Sequence, residues 1–410
     1  MKKITILLLL IFCSSLLAES YVDTLEAQLP KLEGNQRYET LRALTILLRD
    51  DNAPRSLYYA LLQAQYARQS GVSSFRLGAK KNLAVAWMQN DLPQISAEIV
   101  KDILSDYQLV NAEEKIAETR MILAEIYFEL AKYQAAEREL LKVIEYYNQQ
   151  QDQVKIADTF LQLGKIYYEM GQPPIAYEYI ESAQKLYRQN KEQVKRSNAL
   201  FTLAEYQQAA GQYDAALKNF QKARNNYENN VVIDKLIASV IKEVELYMLL
   251  QQESEAFYHL KRMDKMLQNI GDEKNRLLIL MELAELAWQQ AGQNPRLYLQ
   301  EIEAILQRAP LGDFTTEINA RLSNYYDQIQ MPQAADRYRR RLMIQRHKLK
   351  ERDLKSWQQI EDLLAQQRQQ AQREYEKIAA KMQLNNWLWA GLLALILISA
   401  IIIIKLKYKN

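Results

Sequence analysis

The sequence predicts an all-α protein: a solenoid of helix hairpins with a period of about 40 residues, followed by a long helix and one C-terminal transmembrane helix. Three observations predict this fold class. The 410 residues include only ten glycines and eight prolines, whereas residues that favour helices are abundant. Several stretches realign with one another at a step of forty. The chain also ends on an apolar run long enough to cross a bilayer.

Three stretches carry the repeat most clearly. They begin at Leu123, Leu163 and Leu203 and read LAEIYFELAKYQAAERELLKV, LGKIYYEMGQPPIAYEYIESA and LAEYQQAAGQYDAALKNFQKA. Weaker copies at the same step begin at Leu83, Glu243 and Leu283, and one begins a residue early, at Leu322. Each unit is predicted to be a helix hairpin whose apolar stripe is covered only by its neighbours.

Small and aromatic residues recur at fixed positions within the unit. A small residue follows the leading Leu at Ala84, Ala124, Gly164, Ala204 and Ala284, and a second small residue lies past the turn at Ala136, Ala176, Ala216 and Ala256. An aromatic residue usually comes three residues after the first small position, at Trp87, Tyr127, Tyr167 and Tyr247. Small side chains at these positions let the two helices of a hairpin approach closely.

These residues resemble the tetratricopeptide repeat, whose hallmark is Leu-Gly or Leu-Ala, then Tyr, a Gly-containing turn, an aromatic residue and Ala. The closest matches are Leu163-Gly164-Tyr167-Gly171-Ala176 and Leu203-Ala204-Gly211-Tyr213-Ala216. The resemblance covers residues 75–345. The family's usual period is about 34, so the longer period here predicts lengthened helices and hairpin joints.

The resemblance implies that the first helix of each hairpin lines a concave groove that binds a protein or a peptide. Carried over position by position, the groove has one row at Phe128, Tyr168, Gln208, Met248 and Trp288, and a second at Glu125, Lys165, Glu205, Glu245 and Glu285. Apolar anchors beside carboxylates suit a basic or amphipathic segment. The alternative is that the aromatic residues only pad neighbouring hairpins and the glutamates are solvated.

The two ends of the chain predict export and membrane attachment. Residues 1–18 match a secretory signal peptide, with cleavage expected after Ala18; the alternative is an uncleaved N-terminal anchor. Residues 386–404 contain an uncharged apolar run that, as a helix, would span a bilayer. The lysines that follow predict a cytoplasmic tail at residues 405–410. The predicted location is the bacterial inner membrane, crossed once, with most of the chain in the periplasm.

Between these ends we expect a helical capping region at residues 19–74, the repeat array at residues 75–345, and a long helical stalk at residues 346–385. Heptad spacing in the stalk is interrupted by Glu361 and Arg368, so a parallel homodimer and a single amphipathic helix both stay open. The run from Arg337 to Arg352 has nine basic residues counting His347. It fits an acidic protein partner or a solvated helix face.

Catalysis is not expected, nor are a metal site or a cofactor. The only cysteine is Cys13, within the predicted signal peptide, and the two histidines, His259 and His347, are far apart without a metal-binding spacing. A formal net charge of +3 is too balanced to indicate nucleic acid. The predicted function is a membrane-anchored periplasmic scaffold that binds other proteins.

The alternative function is a ligand-sensing subunit that signals in trans to a partner with a cytoplasmic output domain. This alternative rests on the layout of export signal, helical repeats, stalk and span. That layout resembles the extracytoplasmic half of bacterial membrane receptors whose cytoplasmic half is a histidine kinase or a diguanylate cyclase.

Overall fold

A computed structural model of the chain describes residues 14–49, 52–289, 294–308 and 314–407. The regular structure of these residues is helical. The helices are α1 (Ser14–Gln28), a short 3-10 helix (Leu29–Lys31), α2 (Gly34–Leu47), α3 (Ala53–Ser70), α4 (Ser73–Gln89), α5 (Pro93–Leu109), α6 (Glu113–Glu129), α7 (Tyr133–Gln150), α8 (Gln153–Glu169), α9 (Pro173–Gln189), α10 (Gln193–Ala209), α11 (Tyr213–Asn229), α12 (Ile233–Leu249), α13 (Glu253–Ile270), α14 (Glu273–Gln289), α15 (Arg296–Arg308), α16 (Phe314–Gln328) and α17 (Pro332–Lys407).

The step of forty is confirmed in the helix boundaries. The first helices of successive hairpins begin at Glu113, Gln153 and Gln193, and the second helices at Tyr133 and Pro173. Each of these helices has 17 or 18 residues, and only two or three residues link one helix to the next. The residues in excess of the usual family period therefore lengthen the helices and not the links.

A left-handed residue ends almost every helix of the array. Positive φ angles recur every twenty residues, at Gly71, Asp91, Asn111, Ala131, Gln151, Gly171, Lys191, Gly211, Val231, Gln251 and Gly271. In one such link the Ala131 N–H donates to the Phe128 carbonyl at 2.9 Å and the Lys132 N–H donates to the Tyr127 carbonyl at 2.8 Å. These bonds satisfy the last carbonyls of the helix. The link inside a hairpin and the link between hairpins thus use the same turn.

The small residues lie where two helices meet. Ala136, Ala176, Ala216 and Ala256 are fully buried. A Cβ added to Gly164 would lie 2.6 Å from Ile180 Cγ1 and 3.1 Å from the Ala176 carbonyl oxygen. Glycine at this position of α8 therefore permits the closest approach to α9, as the sequence predicted.

Tyrosines tie two of the second helices, α9 and α11, back to the first helix of the same hairpin. Tyr187 on α9 is buried, and its hydroxyl donates to Asp158 of α8 at 2.7 Å. Tyr227 on α11 is likewise buried and donates to Asn198 of α10 at 2.7 Å. Each ring fills the core while its hydroxyl finds a partner at the edge, as buried tyrosines require.

The chain divides into two units, residues 1–353 and residues 354–410. The first contains the hairpins, and the second is the remainder of α17, whose backbone runs as one helix to Lys407. Leu354, the first residue of the predicted heptad seam, is largely exposed. The predicted signal peptide lies mostly outside the described residues, which begin at Ser14.

The prediction of a transmembrane helix over residues 386–404 is wrong. No helix in the part of the chain that the structure describes is long and apolar enough to cross a membrane. The apolar run does not form an element of its own, because its backbone continues the 76-residue helix α17, and earlier in that helix Gln, Arg, Lys and Glu prevail. The side chains of residues 386–404 lie outside the described residues.

Replacing Val231 by glycine should stabilise the array. A left-handed, β-branched residue costs roughly 1–2 kcal/mol, and Val231 has a φ of 57°. We expect Val231→Gly to raise the free energy of unfolding by about 1 kcal/mol, measured by urea denaturation. The reciprocal change, Gly171→Ala at φ 73°, should lower it by a similar amount. A loss of stability in Val231→Gly would contradict the role given to these links.

Candidate functional site

The ten residues of the two predicted rows fall at matching positions of α6, α8, α10, α12 and α14. In the first row Phe128, Tyr168, Gln208 and Met248 are half-buried and Trp288 is 50% exposed. In the second row Glu125, Lys165 and Glu205 are exposed, and Glu245 and Glu285 are half-buried. The rows therefore cross the first helices of successive hairpins. We call this surface the A face.

The aromatic residues of the first row pack against neighbouring helices. Phe128 contacts Tyr133 at the start of α7, with ring centroids 5.8 Å apart. Tyr168 stacks on Tyr206 of α10 at 3.6 Å with nearly parallel planes. In this part of the A face the rings join neighbouring helices and are half-buried, so they offer a partner less surface than free side chains would.

The C-terminal part of the A face keeps large apolar side chains open to solvent. Trp288 on α14 is 50% exposed, and Leu249 on α12 is 57% exposed. Met248, beside Leu249, packs against the core instead. Sequence reasoning missed Leu249 because it lies one residue past the predicted row, where the other hairpins carry Glu129, Glu169, Ala209 and Gln289.

Neighbouring cations pair with two carboxylates of the second row, Glu245 and Glu285. Lys242 lies 2.8 Å from Glu245, and the Gln208 amide also donates to Glu245, at 3.2 Å. Arg321 on α16 lies 2.9 Å from Glu285 and 2.8 Å from Glu282. The second row is therefore a charged ladder in which Glu245 and Glu285 are paired with cations. Among the described residues, Glu125 and Glu205 have no ion pair and are exposed.

Desolvation adds to this compensation. Burial raises the pKa of Glu282, and the nearby Arg321 offsets part of the rise. Glu205 is open to solvent along part of its side chain, yet the helices around its carboxyl remove enough water to raise its pKa, an effect that Lys242 and Lys165 oppose. These carboxyls take up protons more readily than ordinary glutamates, so a cationic partner is held less firmly at acid pH.

A buried polar cluster lies behind this region, on α11, α12 and α13. Glu243 is completely buried, and its Oε1 lies 3.2 Å from Arg224 Nε without the alignment of a hydrogen bond. Arg224 also contacts His259 Nδ1 at 2.7 Å, and the His259 ring stacks on Tyr247. A cavity of about 90 Å³ adjoins Arg224 and His259.

Glu243 stands in the column that the other repeats fill with the leading Leu. A buried carboxylate there has a clear sequence signal, since Glu243 is the only charged residue among the leading positions Leu83, Leu123, Leu163, Leu203, Glu243 and Leu283. By its similarity to the other repeats, the copy that begins at Glu243 is only a weak one. Burial raises the pKa of Glu243 to about 7, with Arg224 opposing, and burial and then Arg224 lower the pKa of His259 to about 4.

A family model for the tetratricopeptide repeat matches residues 155–229, which span most of α8 through α11. No curated protein sequence matches the chain. The matched segment is thus similar to the tetratricopeptide repeat, and the helices around it repeat its hairpin geometry.

Solved structures of helical-repeat proteins are similar in fold. One is a signal transduction ATPase with a tetratricopeptide repeat sensor from Pyrococcus horikoshii, with 14% identity, a TM-score of 0.49, and coverage of 76% of this chain and 53% of that one. A Rap protein complexed with competence and sporulation factor has 15% identity, a TM-score of 0.46, and coverage of 81% and 93%. The apo form of the quorum sensor NprR from B. thuringiensis has 17% identity and a TM-score of 0.46, and the match covers 72% of this chain and 84% of that one. This chain spans about half of the Pyrococcus protein.

The two buried groups should make stability depend on pH in opposite senses. The folded protein holds the Glu243 proton more tightly than the unfolded chain, so the free energy of unfolding falls as pH rises from 4.5 to about 7. His259 is harder to protonate when folded, so its contribution is lost as pH falls from 6.5 to about 4. The free energy of unfolding of Glu243→Gln, relative to that of the wild type, should therefore increase from pH 5 to pH 8 by on the order of 3 kcal/mol.

Urea denaturation at the two pH values measures this difference. His259→Asn is the matched control, because Asn219 occupies the equivalent position one repeat earlier. Its free energy of unfolding, relative to that of the wild type, should instead increase as the pH is lowered. An equal offset of Glu243→Gln at both pH values would show that Glu243 does not titrate in this range.

Proposed function

We propose that this chain is a helical-repeat scaffold that binds a protein or peptide segment along the C-terminal part of the A face. The observation that carries the proposal is the exposure of Leu249 and Trp288 on neighbouring first helices, each close to a glutamate of the charged ladder. Exposed large apolar side chains on a rigid helical surface are typical of interaction sites. Tetratricopeptide-type folds support this class of function.

The chemistry of the surface favours an amphipathic partner. Leu249 and Trp288 would be covered on binding, and a tryptophan at the centre of an interface is a frequent source of affinity. Glu245 and Glu285 already have cationic neighbours in Lys242 and Arg321. Charge at this site therefore determines the orientation of the bound partner more than it adds to the binding affinity. A basic side chain of the partner would share a carboxylate that already has a cationic neighbour.

We retain two features of the sequence analysis within this proposal. Export of the chain to the periplasm is supported by residues 1–18 alone, and a binding rather than an enzymatic role is supported by a sequence with one cysteine and two widely separated histidines. A ligand-sensing role would use the same surface and would differ only in what binding does to a partner.

Selection of peptides from a random library tests the site directly. The full chain is used to enrich dodecapeptides, and the affinity of the best peptide is measured by fluorescence anisotropy. We expect apolar residues with interspersed lysine or arginine. Trp288→Ala should weaken binding at least tenfold, because the main anchor of the interface is lost.

Tyr258→Ala provides the matched control. Tyr258 is an exposed aromatic residue on α13, the second helix of its hairpin, and its removal should leave peptide affinity unchanged. Enriched peptides that bind the Trp288 and Tyr258 variants equally well would place the binding surface elsewhere and overturn the proposal.

A further inference from the structure

Away from the A face, the described part of the first unit has two pairs of chain-adjacent apolar residues in which both side chains are more than half exposed. Leu109 and Val110 lie at the link between α5 and α6 and are 83% and 70% exposed. Met343 and Ile344 lie on α17 and are 71% and 58% exposed. Side chains of this size are usually at least half covered, and here two neighbours in sequence are open together at each place.

Acidic residues surround the first pair. Asp102 and Asp106 are exposed and share a single cation, Lys80, at 2.6 Å from each. Glu113 and Glu114 open α6, are exposed, and form no ion pair with any residue in the described ranges. We call Leu109, Val110 and these four carboxylates the acidic corner.

Basic residues surround the second pair. The inner side of α17 is fixed by Tyr338, which is buried, and by Gln345, which accepts a hydrogen bond from Asn319 at 2.9 Å. Helical periodicity then turns Met343, Ile344 and Arg340 outward. We call the following exposed residues of this segment of α17 the basic stripe: Arg337, Arg340, Met343, Ile344, Arg346, Lys348 and Lys350.

The cations of the basic stripe form no ion pairs within the described part of the chain. Arg339 pairs with Asp327 and Asp336, and His347 lies 3.3 Å from Glu351. No carboxylate among the described residues lies within ion-pair distance of Arg340, Arg346, Lys348 or Lys350. The stripe thus combines apolar area with unopposed positive charge, the reverse of the acidic corner.

The acidic corner and the basic stripe are far apart in chain order. Helices pack mainly on their neighbours in chain order, and ten helices lie between α6 and α17. We propose that the acidic corner of one copy of the chain docks on the basic stripe of a second copy, covering Leu109 and Val110 against Met343 and Ile344.

A second copy accounts for both surfaces at once. An anionic bilayer or a nucleic acid would satisfy the basic stripe but would leave Leu109 and Val110 exposed. Opposite charge around matched apolar pairs gives attraction and a fixed register. Since the two surfaces differ, the contact is head-to-tail and each copy keeps one surface open, so association continues into chains or closed rings.

Site-specific photo-crosslinking tests the contact in the full-length chain. Leu109 is replaced by p-benzoylphenylalanine, and the protein is mixed with a ¹⁵N-labelled wild-type chain before irradiation. Mass spectrometry should find crosslinks from position 109 to residues 337–350 that carry the ¹⁵N label. Raising the salt from 0.1 M to 1 M shortens the screening length from about 10 Å to 3 Å and should reduce the yield severalfold.

Charge reversal identifies the contacts that hold the two copies together. Glu113→Lys with Glu114→Lys, or Arg340→Glu with Lys348→Glu, should each lower the crosslink yield at least tenfold when present in all copies. The chain that carries all four changes should recover most of the yield, because the opposite charges have only exchanged places. Lys218→Glu with Lys222→Glu, two exposed lysines on α11, is the control and should change nothing.

Three outcomes would overturn the proposal. They are crosslinks from position 109 confined to the same chain, no crosslinks to residues 337–350, and failure of the fourfold variant to recover. Flotation with phosphatidylglycerol vesicles is measured alongside. Binding to vesicles that depends on Arg340 and Lys348, without intermolecular crosslinks, would identify a lipid surface as the occupant instead of a second copy.

Discussion

The close approach of the two helices in each hairpin is the constraint on which the rest of the structure depends. At Gly164 there is no space for a further carbon atom before Ile180 and the Ala176 carbonyl, and alanine is fully buried at the same register in four successive second helices. Because the pair is so close, its apolar residues project to the sides and are covered by adjacent hairpins. The A face exists only because this stacking holds its helices side by side.

The periodic features of this fold could be predicted from sequence, since they repeat in identity as well as position. The leading Leu, the small residue after it and the alanine past the turn each mark one step of forty, and the helices begin at that step. The links at every twentieth residue could not be found in this way. Glycine occupies only some of them, and Ala131 or Val231 gives no sign of a left-handed conformation.

The positions of the candidate site residues on their helices could be predicted from sequence, but the pairing of their charges could not. Position alone places Glu245 and Glu285 on successive helices. The cations that pair with them are Lys242, one turn earlier, and Arg321, on a helix that carried no predicted row. Only the folded arrangement therefore shows that these two glutamates are paired. The apolar run at residues 386–404 shows the opposite error, because composition alone suggested an element that the structure does not support.

The single left-handed residue between consecutive helices also determines how the direction of the array is set. Each link is short and its hydrogen bonds are local, so a rotation of a few degrees at one link deforms no more than its two flanking helices. Eleven such links recur at equal spacing from Gly71 to Gly271, and small rotations of the same sense add along the chain. A change at one link should therefore alter the direction of the array only slightly, because ten similar links share in setting its course.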